Sequence, residues 1–218
     1  MLLPKRKKRR TIVFVCTGNT CRSPMAQGIL QAYLDEAGIS HIDVKTAGVM
    51  TIPGLIPSPD AVQVMNAQGI DISKHRSAPL TPEMLRKADL ILGMTPFHVQ
   101  FALRMDDEAR GAGAAGIPAR EKTFLLKEYT KSDLKNYQIT DPMGATLEVY
   151  KRVYREIKLA VEKLCEMDII HRPLDEAITH EKWTGKPMGK PPAPPPSAAP
   201  AAKKAKPKAP AKKATAKA

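Results

Sequence analysis

Short apolar runs alternate with amphipathic stretches along residues 11–165. Residues 11–15 and 89–93 are almost continuously apolar, which is typical of strands buried on both faces of a parallel sheet. Shorter runs at 42–44 and 123–126 predict two further strands. Because helical patterns separate these runs, we predict an α/β fold with a single parallel four-stranded sheet and helices on both faces.

Turn and capping residues mark where the helices begin and end. Pro24 suits the first turn of a helix, Met25 begins its apolar stripe and Gly38 ends it. Thr81 followed by Pro82 is typical of a helix N-cap. The other predicted elements are a helix over 61–69 after a proline-rich loop, a helix over 97–103, a flexible Gly- and Ala-rich loop over 111–116, and an amphipathic helix over 149–164.

The stretch between the first strand and the first helix carries the candidate chemistry. It begins with Cys16, has Arg22 six positions later, and reads CTGNTCRSP over 16–24. Inward-facing backbone N–H groups of such a loop, followed by a helix N-terminus, form an anion site. A guanidinium can hold two phosphoryl oxygens at once. We therefore predict a phosphate-binding loop.

Each residue of this loop has a predicted role. Cys16 is the candidate nucleophile, with a pKa lowered by the positive field into the range of about 3.5–7.5. Arg22 holds the phosphoryl oxygens. Ser23 either donates to the thiolate or caps the following helix, and Gly18 and Asn19 supply positive φ angles. The predicted substrate-binding residues are Thr17, Gly18, Asn19, Thr20, Cys21 and Ser23.

These residues resemble the phosphate loop of the low-molecular-weight protein phosphatases, most closely the bacterial protein-arginine-phosphatase branch. The string VCTGNTCRSPMAQ carries the resemblance. Weaker matches follow in the expected order and are TAGV at 46–49, SAPLT at 77–81, ADLIL at 88–92, KEYT at 127–130 and the dipeptide Asp141-Pro142. The resemblance implies a flavodoxin-like three-layer fold over about 11–167 and hydrolysis of phosphorylated side chains through a phosphocysteine.

The resemblance also assigns residues outside the loop. It implies that Asp141 is the general acid, and an Asp that caps the next helix is the less favoured alternative. Thr46 and His75 resemble residues that brace the loop, and an exposed His without a role is the alternative. Thr20 resembles the arginine-specific branch, because tyrosine-specific relatives usually have an aliphatic residue there. Met143 departs from relatives that place an aromatic residue shortly after the Asp-Pro pair.

The remaining cysteines add a hypothesis. Cys21 could form a disulfide with Cys16 under oxidation, or it could simply be a small loop residue. Cys165 falls on the apolar face of the last long helix and is expected in the core. Cys16 and Cys21 lack the second ligand pair of a zinc site, so we expect no metal, and we expect no cofactor.

The net charge of +13 belongs to the two ends of the chain. Six basic residues lie within 5–10 and seven within 203–217, which leaves 11–190 formally neutral. We predict a disordered basic arm over 1–10, a linker over 168–190 and a disordered Lys/Ala/Pro-rich tail over 191–218. The first apolar run is too short for a signal peptide or a membrane span, and three cysteines fit a reducing compartment, so we expect a cytoplasmic protein.

Several functions remain open at this point. Protein-arginine and protein-tyrosine phosphatase activity are both compatible with the loop, and phosphorylated proteins are the expected partners. Arsenate reductase is less favoured, because no further cysteine lies between Cys21 and Cys165. The basic tail could bind nucleic acid or another polyanion weakly through phosphate contacts. A phosphoprotein-binding module without activity is disfavoured, because Cys16, Arg22 and Asp141 are all present.

Overall fold

Four parallel strands form one sheet in the computed structural model, which describes residues 9–110 and 116–172. The strands are β1 (Arg10–Cys16), β2 (Ile42–Gly48), β3 (Leu90–Gly93) and β4 (Thr123–Leu125). Their order is β2-β1-β3-β4, which places β1 in the interior of the sheet. The predicted single parallel four-stranded sheet is confirmed.

Helices cover both faces of this sheet. Successive residues of β1 alternate between two separate apolar clusters, with Ile12 and Phe14 in one cluster and Val13 and Val15 in the other. This two-sided burial explains why β1 is apolar at nearly every position. The helices are α1 (Arg22–Glu36), α2 (Pro59–Asn66), α3 (Pro82–Lys87), α4 (Pro96–Ala109), α5 (Leu126–Tyr129), α6 (Leu147–Cys165) and α7 (Asp168–His171).

The two apolar clusters on either face of the sheet involve different helices. The larger cluster joins β1 to α1, α2 and α6 and includes Leu30, Met65 and Ile157. The smaller cluster joins β1 and β3 to α3 and α4 through Leu85 and Ala102. Among the helices of the described residues, none has the length and apolarity needed to cross a bilayer.

Several predicted boundaries differ from the structure. Strand β2 continues from the predicted 42–44 to Gly48, because backbone pairing with β1 does not depend on apolar side chains. Helix α1 begins at Arg22 rather than near Pro24. Leu126, predicted to end the last strand, instead begins α5. Most of the predicted flexible loop over 111–116 lies outside the described residues.

Both predicted ends of the domain need correction. Arg10 was assigned to a disordered arm, but it begins β1 and is buried, and its Nη1 donates to the backbone oxygens of Ile169 and, at 3.0 Å, Arg172. Ile169 and Ile170 belong to the larger core cluster, so packing continues past the boundary predicted at 167. Arg9 is described as well, and its Nη2 forms an ion pair with Asp43 Oδ1 at 3.0 Å. Residues 1–8 of the arm, most of the linker and the whole tail lie outside the described residues.

Helix α6 generates a stability prediction with a control on the same helix. Ile157 has an exposed fraction of 0 % and Leu159 has 48 %. We expect Ile157→Ala to lower the free energy of unfolding by about 2–5 kcal/mol, because it leaves a cavity in the larger core cluster. Leu159→Ala should change it by at most about 0.5 kcal/mol. Urea unfolding followed by circular dichroism measures both, and equal losses would contradict this description of the core.

Candidate active site

The predicted phosphate loop lies at the carboxyl end of β1 and is fixed by backbone bonds to the segment after β2. The N–H groups of Val49 and Met50 each donate at 3.0 Å to the carbonyls of Cys16 and Thr17. The Ser58 N–H donates at 2.9 Å to the Thr20 carbonyl. The loop therefore has its outer carbonyls paired, as an inward-facing row of N–H groups requires.

Gly48 explains why this approach is possible. A Cβ atom at position 48 would lie 2.7 Å from the Thr17 carbonyl oxygen and 2.7 Å from Thr51 Cγ2. Only glycine lets the end of β2 come this close to the loop backbone.

Asn19 is the fully buried centre of the loop. Its φ of 55° confirms the predicted left-handed position, whereas Gly18, predicted to share this role, has no positive φ. The Asn19 Nδ2 donates to Ser23 Oγ at 2.8 Å, and its Oδ1 accepts the N–H of Ala78 at 2.8 Å. The strained backbone is thus held by hydrogen bonds at both ends of the amide.

Two hydrogen-bonding groups lie against the sulfur of Cys16. Ser23 Oγ lies 2.9 Å from Cys16 Sγ, and the backbone N–H of Asn19 donates to the same sulfur at 3.3 Å. Ser23 Oγ also accepts from the Asn19 amide, so it can accept from a Cys16 thiol or donate to a Cys16 thiolate. Ser23 does not cap the helix: the N-cap of α1 is Cys21, and Ser23 lies within the first turn.

The pKa of Cys16 corrects a sequence-based expectation. Burial raises the pKa of the Cys16 thiol, while the hydrogen bond with Ser23, the charge of Arg22 and the N–H groups oppose this by a smaller amount. The sequence indicates the positive groups of the loop but not the complete burial of the sulfur. The expected net lowering is therefore wrong for this conformation of the site.

Arg22 is a buried cation with an exposed fraction of 2 %. Its Nη1 donates to the Ile139 carbonyl at 3.1 Å, and its Nη2 donates to Thr17 Oγ1 at 3.1 Å. The same Nη2 forms an ion pair with Asp141 Oδ2. Within the described residues, the buried Nε of Arg22 has no hydrogen-bond partner, so this side chain retains a donor for an acceptor bound in the site.

Asp141 comes to the loop from 119 residues along the chain. Its side chain is 44 % exposed, and its Oδ1 accepts the N–H of Met143 at 3.2 Å. Asp141 does not cap the long helix, because the N-cap of α6 is Thr146. The Asp141 carboxylate therefore pairs with Arg22 and does not serve as a helix cap.

Of the two predicted support residues, His75 contacts the phosphate loop through a hydrogen bond and Thr46 does not in the described residues. His75 is half-buried and its Nε2 lies 2.8 Å from the Asn19 carbonyl, and burial lowers the pKa of the ring. Thr46 is buried in β2 opposite Phe14, and the described residues offer its side chain no hydrogen bond to the loop. Ala78 supplies the contact to the Asn19 side chain instead.

Two groups at the site, His98 and the Ile139 carbonyl, are not predicted from the sequence. His98 is buried at the start of α4, and its Nε2 lies 3.0 Å from Thr17 Oγ1. Its position after the carboxyl end of β3 was a usable signal, because parallel strands end at the same edge of a sheet. No local pattern marks Ile139, since it contributes only backbone.

Thr20 and the other two cysteines are buried. Cys21 Sγ donates to Ser58 Oγ at 3.2 Å and lies 3.6 Å from the hydroxyl of Tyr150. All three cysteines are free thiols, so a bond between Cys16 and Cys21 stays a prediction. Cys165 is in the larger core cluster as expected, and burial raises its pKa to about 12.

Solved structures share this fold. The arginine phosphatase YwlE, in a mutant with a phosphorylated active-site serine, superposes with a TM-score of 0.61 at 33% identity, covering 71% of this chain and 92% of that chain.

Curated relatives give a consistent result. The protein-arginine-phosphatase of Bacillus subtilis is 34% identical over 155 residues, covering 71% of this chain and 94% of the relative. The probable low molecular weight protein-tyrosine-phosphatase EpsP of Ralstonia nicotianae is 33% identical over 153 residues, covering 70% of this chain and 92% of the relative. The sequence model of the low molecular weight phosphotyrosine protein phosphatases matches residues 11–177, and the chain belongs to this family.

Proposed function

We propose that this protein hydrolyses phosphorylated side chains of proteins through a phosphocysteine at Cys16, with phosphoarginine as the preferred substrate. One observation carries the proposal: a single sulfur lies within hydrogen-bond distance of the Ser23 hydroxyl and accepts the Asn19 N–H, beside a buried guanidinium that keeps an unpaired donor. Such an arrangement suits a nucleophile facing a tetrahedral oxyanion.

In the first step the thiolate of Cys16 attacks phosphorus, the S–P bond forms and the P–N bond of phosphoarginine breaks. The electron pair of the broken bond goes to the leaving nitrogen, which takes a proton from Asp141 acting as general acid. Arg22 holds the phosphoryl oxygens, and its free Nε offers one of the donors they need. In the YwlE mutant the active-site serine is phosphorylated, which supports covalent attack from the equivalent position here.

In the second step water hydrolyses the phosphocysteine. Asp141 accepts a proton from the water, whose oxygen bonds to phosphorus while the S–P bond breaks and returns its electron pair to sulfur. Ser23 stabilises the departing thiolate through the hydrogen bond that it already makes to Cys16 Sγ. The carboxyl group thus alternates between acid and base in the two steps.

The ion pair between Asp141 and Arg22 fits this cycle. A phosphoryl group carries oxygens that compete with the carboxylate for the guanidinium. When those oxygens occupy Arg22, the half-exposed Asp141 is released toward the leaving atom at the mouth of the site. Binding of substrate is thereby coupled to freeing the acid.

Thr20 is the basis for preferring phosphoarginine. Of the two curated relatives described above, one is a protein-arginine-phosphatase and the other a probable protein-tyrosine-phosphatase, at nearly equal identity, so overall similarity does not choose between the two substrates. A hydroxyl in the loop can bond the P–N group and disfavours a flat aromatic ring. Met143 is exposed and is not the aromatic residue that the resemblance implies shortly after the Asp-Pro pair, which also weakens a phosphotyrosine assignment. Protein-tyrosine phosphatase activity is the second candidate.

The setting of the enzyme is also a proposal. Three free buried thiols support a reducing, cytoplasmic location. We propose one phosphatase domain from about residue 10 to at least 172, followed by a linker and a basic tail. Weak polyanion binding by that tail stays a prediction from its lysines, which lie outside the described residues.

Replacing the nucleophile tests the covalent step. We expect Cys16→Ser to lower turnover of a phosphoarginine peptide by roughly 10³-fold or more, because a serine hydroxyl is not ionised near neutral pH. Affinity for inorganic phosphate should persist, since Arg22 and the loop backbone remain. Release of phosphate and calorimetric binding measure the two quantities. Cys165→Ala, a core thiol remote from the loop, is the control, and equal losses in both variants would refute the assignment.

Asp141 can be tested by varying the leaving group. Asp141→Asn should slow hydrolysis of phosphoarginine or phosphotyrosine peptides by about 10²–10⁴-fold, because the leaving atom needs a proton. The loss should be much smaller with para-nitrophenyl phosphate, whose leaving group is a weak base. Asp107→Asn, at an exposed acid of α4, serves as the control. A loss independent of the leaving group would remove the general-acid role.

Thr20 can be tested by competition between two peptides at equal concentration. Thr20→Ile should shift the ratio of kcat/KM for phosphoarginine over phosphotyrosine by roughly 10- to 100-fold toward phosphotyrosine, the value of one hydrogen bond to a charged group. Thr20→Ser keeps the hydroxyl and should preserve the preference. An unchanged ratio in Thr20→Ile would leave the arginine assignment without support.

A further inference from the structure

His98 is a buried titratable side chain that contacts the phosphate loop and that the proposed mechanism does not use. His98 is 1% exposed and contacts the phosphate loop from outside, through Thr17 Oγ1. A buried imidazole must have both ring nitrogens satisfied, so its contacts reveal where its proton lies.

The contacts with Thr95 fix the tautomer of His98. The backbone N–H of Thr95 lies 3.1 Å from His98 Nδ1, and a backbone N–H can only donate. The Nδ1 atom is therefore the acceptor of a neutral ring, and Nε2 carries the proton. Burial and the charge of Arg22 lower the pKa of His98 to about 4, which agrees with a neutral ring.

The same reasoning then applies to Thr17. Its Oγ1 lies 3.0 Å from the His98 Nε2 donor and accepts from Arg22 Nη2 at 3.1 Å. A hydroxyl has two acceptor positions and one proton. With both acceptor positions filled, Thr17 can act toward any third group only as a donor.

We propose that His98 is a positioning residue that makes the Thr17 hydroxyl an obligate hydrogen-bond donor to the phosphoryl oxygens held by Arg22. The inference rests on the proposed function in assuming that an oxyanion binds beside Arg22. It adds one hydroxyl donor to the backbone and guanidinium donors of the loop. It also assigns His98 a role through Thr17 rather than through contact with the substrate.

Two replacements of His98 separate this role from helix capping. An asparagine oxygen can take the place of Nδ1 and keep the bond to Thr95, whereas a glutamine nitrogen can take the place of Nε2 and keep the bond to Thr17. We expect His98→Asn to weaken inorganic phosphate binding about tenfold and His98→Gln to retain most of it. A capping role alone gives the opposite order, and that result would overturn the proposal.

Thr17 supplies the second arm. Thr17→Val should weaken inorganic phosphate binding about tenfold, and Thr17→Ser should retain it. In the double variant of His98→Asn with Thr17→Val the loss should equal that of one single variant, because both remove the same bond. Additive losses would refute the coupling. His171→Gln, at the opposite end of β1 near Arg10, is the control with unchanged affinity.

Nitrogen NMR of the whole chain tests the tautomer without substrate. The proposal requires the Nε2–H tautomer of His98 between about pH 5 and 8, and an Nδ1–H or charged ring would overturn it. Phosphate affinity and this spectrum do not depend on turnover. Failure of phosphoarginine hydrolysis would therefore refute the proposed function and leave this inference to be judged by its own two measurements.

Discussion

The burial of one guanidinium constrains the whole site. Arg22 is almost completely removed from solvent, and a buried charge is tolerated only where its donors find acceptors. Those acceptors come from two parts of the chain: Thr17 in the same loop, and the Ile139 carbonyl and Asp141 carboxylate in the segment before α6. The loop after β1 and the segment before α6 must therefore assemble together. The need to compensate this charge therefore holds Asp141 against the loop that carries Cys16.

A second constraint lies in the backbone of the loop. A left-handed Asn19 is unfavourable by itself, and the surrounding contacts with Ser23, Ala78 and His75 hold it in place. The same side chain that fixes the backbone also donates to the Ser23 hydroxyl that lies against Cys16 Sγ. Asn19 thus influences both the backbone shape of the loop and the hydrogen bonding around Cys16. The absence of a side chain at Gly48 allows the end of β2 to lie close to the loop backbone.

The parts of this structure that the sequence predicted are those with local causes. A doubly buried strand, a turn-rich loop and a helix follow each other within about 25 residues, and each has its own pattern, so β1, the loop and α1 were predictable. The contribution of Ile139 was not, because a backbone carbonyl has no side-chain signature. The buried Arg10 was assigned to a disordered arm, because a basic run looks the same whether its last residue is solvated or packed under α7. The position of His98 after the end of β3 could be predicted from the sequence. Its contact with Thr17 could not, because that contact depends on how α4 packs against β3.

The raised pKa of Cys16 is consistent with the proposed chemistry when the partner of Arg22 is considered. Burial disfavours the thiolate, and the charge of Arg22 counters it only in part. In this conformation the guanidinium also neutralises Asp141, so a thiolate would add a second negative charge beside one cation. Protonation of Asp141, which a general acid requires, leaves Arg22 to face the sulfur and the phosphoryl group. Protonation of Asp141 therefore has two effects. It provides the proton for the leaving nitrogen, and it leaves the positive charge of Arg22 to stabilise the Cys16 thiolate.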